Sequence, residues 1–550
     1  MNDRNDYWRT RLNRVAPYWP RRLLHIRGER LVSVERRGDS TYGDFESPKY
    51  NILSYTWGRF MSNSGAALPI EGVPWNIPRV RPSHFTTASF RNVIKQVALG
   101  ASTSAADRCC HVWLDIACIN QNSSDDEMMD EIGHQAAIFN RAQHCFIWLN
   151  HTPASSLKWA VDLWNSCFEQ DFTDKIEGEN GAEFIQGWPA KHRAFFSDPW
   201  FSSLWTLQEA FLRPDAILLT QEGSAVVGRW GYHGRGPVRL SRLASGCQKF
   251  CLVIETSYTE DPSTTSHGLE IFRLVLQIID EYALRVIGES NAVKLYACSD
   301  NKRPLHPLDK IYGIQQVFGF SLGRASSLTE LEDRFGASLN QLNPVIAQAF
   351  VHLEEPLTGR SWRITPKIHV PVSTLYVLRQ EPESSCKIQY DEKLDSVMFR
   401  GATMRFEDCV SFWKRAAESE DSNGGLDWVH DIHLDRTDHN RSRLPASFFE
   451  TEELRDNMYE EQIWRMNDVL LEVFGPELRV LRVGQSTNTH KKGLHSFHMS
   501  FGILVYPTVS ETNRKSWNRI GFATWDVWDP EVAKEESQLF QPLVEPLCLA

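Results

Sequence analysis

The sequence lacks any run of 18 apolar residues, and no apolar stretch follows the charged residues near its start. A membrane-spanning helix needs roughly 20 apolar residues, and a secretory signal needs an apolar segment of about 7–15, so neither is expected. The 11 cysteines are scattered, without the short regular spacings of a disulfide framework. These absences predict a cytoplasmic protein with reduced thiols and no membrane span.

Positive charge is also scarce, because 59 Lys and Arg residues face 70 Asp and Glu residues, which gives a net charge of −11. Proteins that bind nucleic acid by broad electrostatic attraction carry an excess of basic residues on one face. No nucleic-acid partner is therefore expected. The exception is an arginine-rich stretch near the start, which we interpret as a basic N-terminal arm over residues 1–45.

The motifs of several common enzyme classes are missing. The sequence contains no G-x-S-x-G, H-E-x-x-H or Walker A pattern, so the common serine hydrolase, zincin and P-loop classes have no support. No cofactor and no metal site are predicted. Ligand-type side chains do cluster late in the chain, but their spacing matches no zinc motif, and we expect this polar segment to be exposed: His430, His433, Asp435, Asp438 and His439.

Strand and helix patterns alternate between residues 50 and 222. Nearly continuous apolar runs at 111–119, 145–149 and 216–220 are typical of strands buried on both faces, and segments with helical periodicity separate them. This order predicts an open parallel sheet, whose ligands bind outside the carboxyl ends of the strands. The polar and aromatic residues at or just past those ends are Ser54, Tyr55, Trp57, Asp115, Asn120 and Gln121.

The predicted fold class is α/β, with an N-terminal parallel-sheet (TIR/flavodoxin-like) domain, an α-helical middle part and an α+β C-terminal region. We place the sheet domain at residues 46–222 and a helical extension at 223–325. Strand patterns return beyond about residue 360, for example at 374–378, and the periodicity of residues 451–474 predicts a helix. We assign residues 326–550 to the C-terminal region, for which no motif indicates a role.

Four sequence blocks resemble one family. YNILSYTWG (50–58) resembles the opening signature of the fungal heterokaryon-incompatibility (HET) domain, and VWLDIACINQ (112–121) resembles its W-x-D-x-x-C-I-x-Q block. DPWFSSLWTLQEA (198–210) is similar to the family's W-F-x-R-x-W-x-x-Q-E block, and HPLDKIYGIQQVFGF (306–320) is similar to a segment that often follows these domains. The resemblance implies a role in nonself recognition and programmed cell death.

The chain departs from the family pattern at four positions. Glu131 stands where the family usually has Gln, Gln135 replaces an apolar residue, and Asn150 occupies a place where Gly is common. Ser203 takes the place of a frequent Arg. If that Arg holds a substrate or a phosphate, this copy is weakened.

The resemblance extends remotely to TIR domains, some of which hydrolyse NAD with an essential Glu four residues after a Trp on a helix. Trp205 and Glu209 have that spacing. This implies an NAD glycohydrolase, with NAD as substrate and Glu209 as the catalytic carboxylate that stabilises an oxocarbenium-like state. Trp205 or Trp57 would flank the base, Ser54 and Tyr55 would line the site, and Asp115 would hold loop amides or the sugar.

Structural interpretations of the same residues remain open. Glu209 could cap or salt-bridge its helix while the Trp residues belong to the core, and Asp115 could organise a loop. Asn120 and Gln121 could fix a turn, Cys118 could be a buried thiol, and Glu127 could favour a helix N-terminus. The alternative function is a non-catalytic signalling module that assembles with a protein partner or with itself, or a diverged inactive member.

Overall fold

The structure is a computed structural model that describes residues 7–100, 109–121, 126–167, 171–177, 181–229, 235–256, 266–289, 291–371, 374, 381–391, 396–421, 430–449, 460–489, 496–509, 515–527 and 530–549. The chain divides into two compact units. One comprises residues 11–324, and the other comprises residues 1–10 and 325–550. The predicted subdivisions at residues 45 and 222 stay predictions.

A mixed sheet organises the unit of residues 11–324. Its spatial order is β4-β3-β2-β1-β7-β5-β8-β9, and β6 pairs with β2. The strands are β1 Arg22–Arg27, β2 Arg30–Arg37, β3 Thr41–Tyr42, β4 Phe45–Glu46, β5 Tyr50–Ser54, β6 Ile70–Glu71, β7 His111–Trp113, β8 Cys145–Trp148 and β9 Ile217–Leu219. A separate hairpin joins β10 Val227–Arg229 to β11 Arg235–Pro237.

Four consecutive strands of this sheet, β7, β5, β8 and β9, are parallel, as the alternating pattern predicts. Their residues are buried throughout, which agrees with the apolar runs that identify them. The sheet continues beyond them, because β1 pairs antiparallel with β7. The predicted basic arm, residues 1–45, thus contains strands β1 to β3 and the first residue of β4.

Helices cover the sheet and fill the middle of this unit. Helix α2 begins with a reciprocal cap, in which the Thr86 Oγ1 accepts the backbone N–H of Ser89 and the Ser89 Oγ accepts that of Thr86. The helices before residue 325 are α1 Tyr7–Asn13, α2 Thr87–Leu99, α3 Asp115–Cys118, α4 Asp126–Gly133, α5 Gln135–Arg141, α6 Ala154–Ser166, α7 Asp171–Glu177, α8 Gly181–Gln186, α9 Trp188–Phe196, α10 Pro199–Ser202, α11 Leu204–Leu212, α12 Leu240–Ile254, α13 Ser266–Glu281, α14 Leu284–Glu289, α15 Ala292–Cys298 and α16 Asp309–Tyr312.

One predicted strand is shorter than its apolar run. Residues 111–119 suggest a single buried strand, but β7 ends at Trp113 and residues 115–118 form one helical turn, α3. The Asp115 carboxylate accepts the backbone N–H of Ile116 at 2.7 Å. A side chain that bonds its own backbone competes with the strand ladder, so the chain turns here and not after Ile119.

The C-terminal unit is α+β, as predicted. Its largest sheet has the spatial order β15-β16-β23-β21-β20-β19-β17-β22, with β14 on β19 and β18 on β21. The strands are β12 Val351–His352, β13 Ile368–His369, β14 Glu383–Ser384, β15 Lys387–Asp391, β16 Ser396–Arg400, β17 Ala402–Arg405, β18 His430–Leu434, β19 Arg479–Thr489, β20 Ser496–Val509, β21 Lys515–Val527, β22 Gln541–Pro542 and β23 Leu547–Leu549.

The helices of this unit are Leu328–Leu342, Pro344–Gln348, Phe406–Asp421, Asp438–Arg441, Glu460–Phe474 and Pro530–Leu539. Its core contains Trp413 and Trp525, whose ring centroids lie 5.7 Å apart. The strand predicted at residues 374–378 lies outside the described residues, apart from Thr374. Of the helix predicted from residue 451, the part before residue 460 also lies outside them. Every helix in the described ranges is too short or too polar to cross a bilayer.

Candidate functional site

The carboxyl end of β5 supplies the first residues of the candidate site. Ser54, the last residue of the strand, and Tyr55 are buried, whereas Trp57 in the following loop is half-buried. The Trp57 Nε1 donates a hydrogen bond to the Asp115 Oδ2 at 2.6 Å. This bond joins the loops that follow two adjacent parallel strands, β5 and β7.

Asp115 is thus both a loop organiser and a member of the site. Its Oδ1 accepts from the Ile116 backbone, and its main-chain oxygen accepts the Gln121 side-chain amide at 3.0 Å. Gln121 also donates to the Ile119 carbonyl at 2.8 Å, so Gln121 fixes the turn. Burial raises the pKa of the Asp115 carboxyl, although the hydrogen bond from Trp57 counteracts this.

Helix α11 brings Glu209 to the same place. Its side chain is half-buried, but the carboxylate oxygen Oε2 is sealed from solvent and has no hydrogen-bond partner among the described residues. The Ser54 hydroxyl hydrogen-bonds to this carboxylate, and Asp115 lies close enough to repel it. We call Ser54, Asp115 and Glu209 the Glu209 site.

Burial governs the charge of the Glu209 site. Burial and, to a smaller extent, the negative field of Asp115 together raise the pKa of Glu209 to about 8, against the lowering effect of the Ser54 hydrogen bond. A carboxyl group with such a pKa exchanges its proton near neutral pH, which is a common property of groups that take part in catalysis.

A residue that the sequence analysis does not single out holds this arrangement together. Trp200, in α10, donates from its Nε1 to the Ser54 Oγ at 2.8 Å. Asp198 caps α10 through the backbone N–H of Trp200 at 3.0 Å, and its other carboxylate oxygen accepts the backbone N–H of His151 at 2.8 Å. Both residues lie in the block at 198–210, which is the signal that could have identified them.

Trp205 has its hydrogen-bond partner on another helix. It lies one turn before Glu209 on α11, but its indole hydrogen-bonds to the Asp309 carboxylate at the start of α16. Burial raises the pKa of Asp309, and the bond from Trp205 offsets part of this effect. Trp57 does contact the Glu209 site, because its indole bonds to Asp115.

Three departures from the family pattern have partners. The Gln208 Nε2 donates to the Gln135 Oε1 at 2.8 Å, and the Gln208 Oε1 accepts the backbone N–H of Gln316 at 3.0 Å, all in buried surroundings. Glu131 is buried and accepts from the Tyr18 hydroxyl at 2.9 Å. Asn150 donates to the His84 carbonyl at 2.9 Å. Gln135 and Glu131 are thus hydrogen-bonded in the core, whereas the buried Asn150 Oδ1 has no partner among the described residues.

The other candidates have structural surroundings. Glu127 forms an ion pair with Arg22, whose side chain is almost fully buried. Cys118 is a buried thiol whose pKa burial raises to about 12, and Asn120 is buried at the end of the turn. Ser203 precedes α11, and its carbonyl accepts the Thr206 hydroxyl at 3.0 Å.

The late His and Asp cluster is not an exposed polar segment, because much of it is core. Strand β18 and the residue after it bury three members of the cluster, His430, His433 and Asp435. The reason is that hydrophobic residues of β18 pack into the core together with them. Asp435 forms a buried ion pair with Arg519 at 3.1 Å. Among the described residues, no group of three or more His, Cys, Asp or Glu side chains could hold a metal ion.

Comparisons with known proteins agree with the sequence blocks. Residues 50–209 match the family model described as Heterokaryon incompatibility protein (HET), and the match ends at Glu209 itself. Neither the curated proteins nor the solved structures gave a match, so the likeness to TIR domains stays a prediction. The matched segment holds β5, α3, Trp200 and α11, which together build the Glu209 site. Residues 50–209 are therefore similar to the heterokaryon incompatibility (HET) family, and we call this segment the HET domain.

Proposed function

We propose that the HET domain cleaves NAD between nicotinamide and ribose, with Glu209 as the catalytic carboxylate. The observation that carries this proposal is the Glu209 Oε2, which is buried and without a partner among the described residues. Glu209 forms no ion pair within the described part of the chain, so a purely structural role leaves its burial uncompensated. A buried carboxylate without a compensating partner is typical of a site that a ligand completes.

The chemistry needs one carboxylate at the ribose. As the bond between ribose C1′ and the nicotinamide nitrogen breaks, its electron pair passes to the nicotinamide ring, and positive charge develops on the sugar. The Glu209 carboxylate stabilises that charge in a site of low dielectric. Water then adds to C1′ and releases a proton, giving ADP-ribose. Nicotinamide leaves as a neutral molecule, so no acid is required to protonate it.

The surrounding residues position the carboxylate and the base. Ser54 holds Glu209 by a hydrogen bond and is itself held by Trp200. Trp57 has its nitrogen fixed on Asp115 and offers an aromatic face to a planar ring. Asp115 disfavours a second negative charge on Glu209, and the cationic nicotinamide ring would favour it, so substrate binding promotes the ionised form of Glu209.

The HET domain indicates a heterokaryon-incompatibility-type function. Within it, we propose that NAD loss after self-association in the fungal cytoplasm drives nonself recognition and cell death. The competing function is a non-catalytic module that acts by assembly, which Ser203 in the place of the family's Arg favours.

The test is nicotinamide release from NAD by the purified full chain, at low and high protein concentration. A Glu209→Gln variant keeps the side-chain shape and removes the charge. Glu183→Gln, at an exposed position of α8, is the matched control. We expect release by the parent and the control and not by Glu209→Gln. A folded parent that releases no nicotinamide at either concentration would overturn the NAD proposal and favour the assembly function.

A further inference from the structure

Two basic side chains bond to the four-residue helix α10, which also carries Trp200, and a third, that of Arg303, lies close enough to Arg59 to repel it. The Arg59 Nη2 donates to the Pro199 carbonyl at 2.9 Å and to the Ser202 Oγ at 3.0 Å. The buried Lys302 Nζ donates to the Phe201 carbonyl at 2.7 Å. Arg303 follows Lys302 and is exposed. Arg59 is half-buried and lies four residues beyond Tyr55, so the cluster adjoins the loop that forms the Glu209 site.

Negative charge near this cluster is sparse. In the described ranges, neither Arg59 nor Arg303 forms an ion pair, and Glu281 is the carboxylate that acts on Lys302. Burial lowers the pKa of Arg59, and the proximity of Arg303 lowers it further. The field of Arg59 also acts on Lys302, whose pKa burial lowers to about 8. The smaller, charge–charge part of these shifts is repulsion between cations, which a bound anion would relieve.

The position of Arg59 bears on the missing Arg of the third block. Its guanidinium bonds to Ser202, the residue before Ser203. Arg59, from the loop after β5, thus places a positive charge beside the segment at 198–210 in which Ser203 replaces the family's Arg. Arginine presents a planar set of donors that fits phosphate oxygens in pairs, and two adjacent Arg side chains suit a diphosphate.

We propose that Arg59 and Arg303 form a phosphate-binding subsite next to the Glu209 site, which takes the diphosphate of a dinucleotide substrate. The identity of that substrate rests on the proposed function. The subsite would hold the diphosphate from the α10 side, while Trp200 of the same helix holds Ser54 against Glu209. One short helix would then couple phosphate binding to the placement of the catalytic carboxylate.

The test is calorimetric binding of inorganic pyrophosphate to the full chain, with sulfate as the comparison anion. Arg303→Gln is the main variant, because this side chain is exposed and its loss leaves no buried partner. Arg242→Gln, at an exposed position of α12, is the matched control. We expect Arg303→Gln to weaken pyrophosphate binding about 10- to 100-fold, the effect of a lost charge-assisted hydrogen bond, and Arg242→Gln to leave it unchanged. Arg59→Lys should weaken it as well.

Failure of the subsite and failure of the proposed function give different results. If Glu209→Gln binds pyrophosphate like the parent while the parent does not cleave NAD, the subsite stands and the NAD proposal falls. If the parent cleaves NAD with the same KM as Arg303→Gln, the subsite is overturned and the catalytic proposal stands. No pyrophosphate binding by the parent, or equal binding by Arg303→Gln, would also overturn the subsite.

Discussion

The indole nitrogen of Trp200 donates a hydrogen bond to the Ser54 hydroxyl at 2.8 Å, although the two residues lie 146 positions apart in the sequence. Ser54 in turn bonds to Glu209. The series of hydrogen bonds Trp200–Ser54–Glu209 therefore joins the end of β5, the helix α10 and the helix α11. It fixes the direction of a buried carboxylate whose other oxygen has no partner in the described part of the chain.

Removing the Trp200 N–H should show whether this residue positions Glu209 or only stabilises the fold. In Trp200→Phe an aromatic ring is kept, but the indole N–H that bonds to Ser54 and part of the ring volume are lost, so we expect kcat for NAD cleavage to fall about 10-fold and the free energy of unfolding to fall by about 1–3 kcal/mol. Trp164→Phe, which removes a buried indole bond to His192, is the matched control. It should lose similar stability and keep kcat. Equal loss of kcat in both variants would refute a positioning role for Trp200.

The ionisation of Glu209 should appear in the pH dependence of activity. The catalytic form is the carboxylate, and the pKa of Glu209 in the free protein is about 8. We expect kcat/KM for NAD to rise with pH and to level off above about pH 8. Ser54→Ala removes a hydrogen bond that lowers this pKa, so the profile should shift to higher pH. A profile that is flat between pH 6 and 9 would be inconsistent with Glu209 as the titrating group.

The same ionisation should appear in stability. Because burial raises the pKa of Glu209 from 4.5 to about 8, the folded protein keeps this proton at pH values where the unfolded chain has lost it. Stability therefore falls as pH rises from 4.5 to about 8. Glu209→Gln cannot ionise, so its Tm should exceed that of the parent at pH 9 and match it near pH 4.5. The exposed Glu183→Gln should show no such difference, and an equal shift at both pH values would contradict the burial argument.

The polar core of the HET domain should be sensitive to the loss of one amide. Gln135→Leu leaves the Gln208 side-chain N–H without its bond to Gln135, and an unsatisfied buried donor costs about 1–3 kcal/mol. We expect a lower Tm by calorimetry, although Leu is closer to the family pattern. Gln186→Leu at an exposed position of α8 is the control. A higher Tm for Gln135→Leu would show that the amide pair is dispensable.

The buried ion pair of the C-terminal unit gives a test that is independent of the HET domain. Arg519→Met leaves Asp435 buried without its cation, which should destabilise this unit by about 3–5 kcal/mol. The double variant Asp435→Leu with Arg519→Met removes both charges and should recover part of that loss. Urea unfolding of the three proteins measures it. A double variant less stable than the single one would rule out unpaired charge as the cause.

The sequence by itself determined the family, the parallel core strands and the residues at their carboxyl ends. The reason is that the apolar runs and helical periodicity are local, and the blocks at 50–58, 112–121 and 198–210 are short and specific. These patterns placed Ser54, Asp115 and Glu209 at chain positions that the structure brings together. Their catalytic roles stay predictions.

Only the tertiary structure decided which contacts those residues make. The sequence could not place Trp205 against Asp309, pair Gln135 with Gln208, or bring Arg59 to Ser202, because each contact joins distant segments. The polar composition of residues 430–439 suggested an exposed segment. In the structure this segment includes a buried strand and an ion pair to Arg519. Burial of side chains and contacts between distant segments depend on how the sheet assembles, which a local pattern of residue types does not predict.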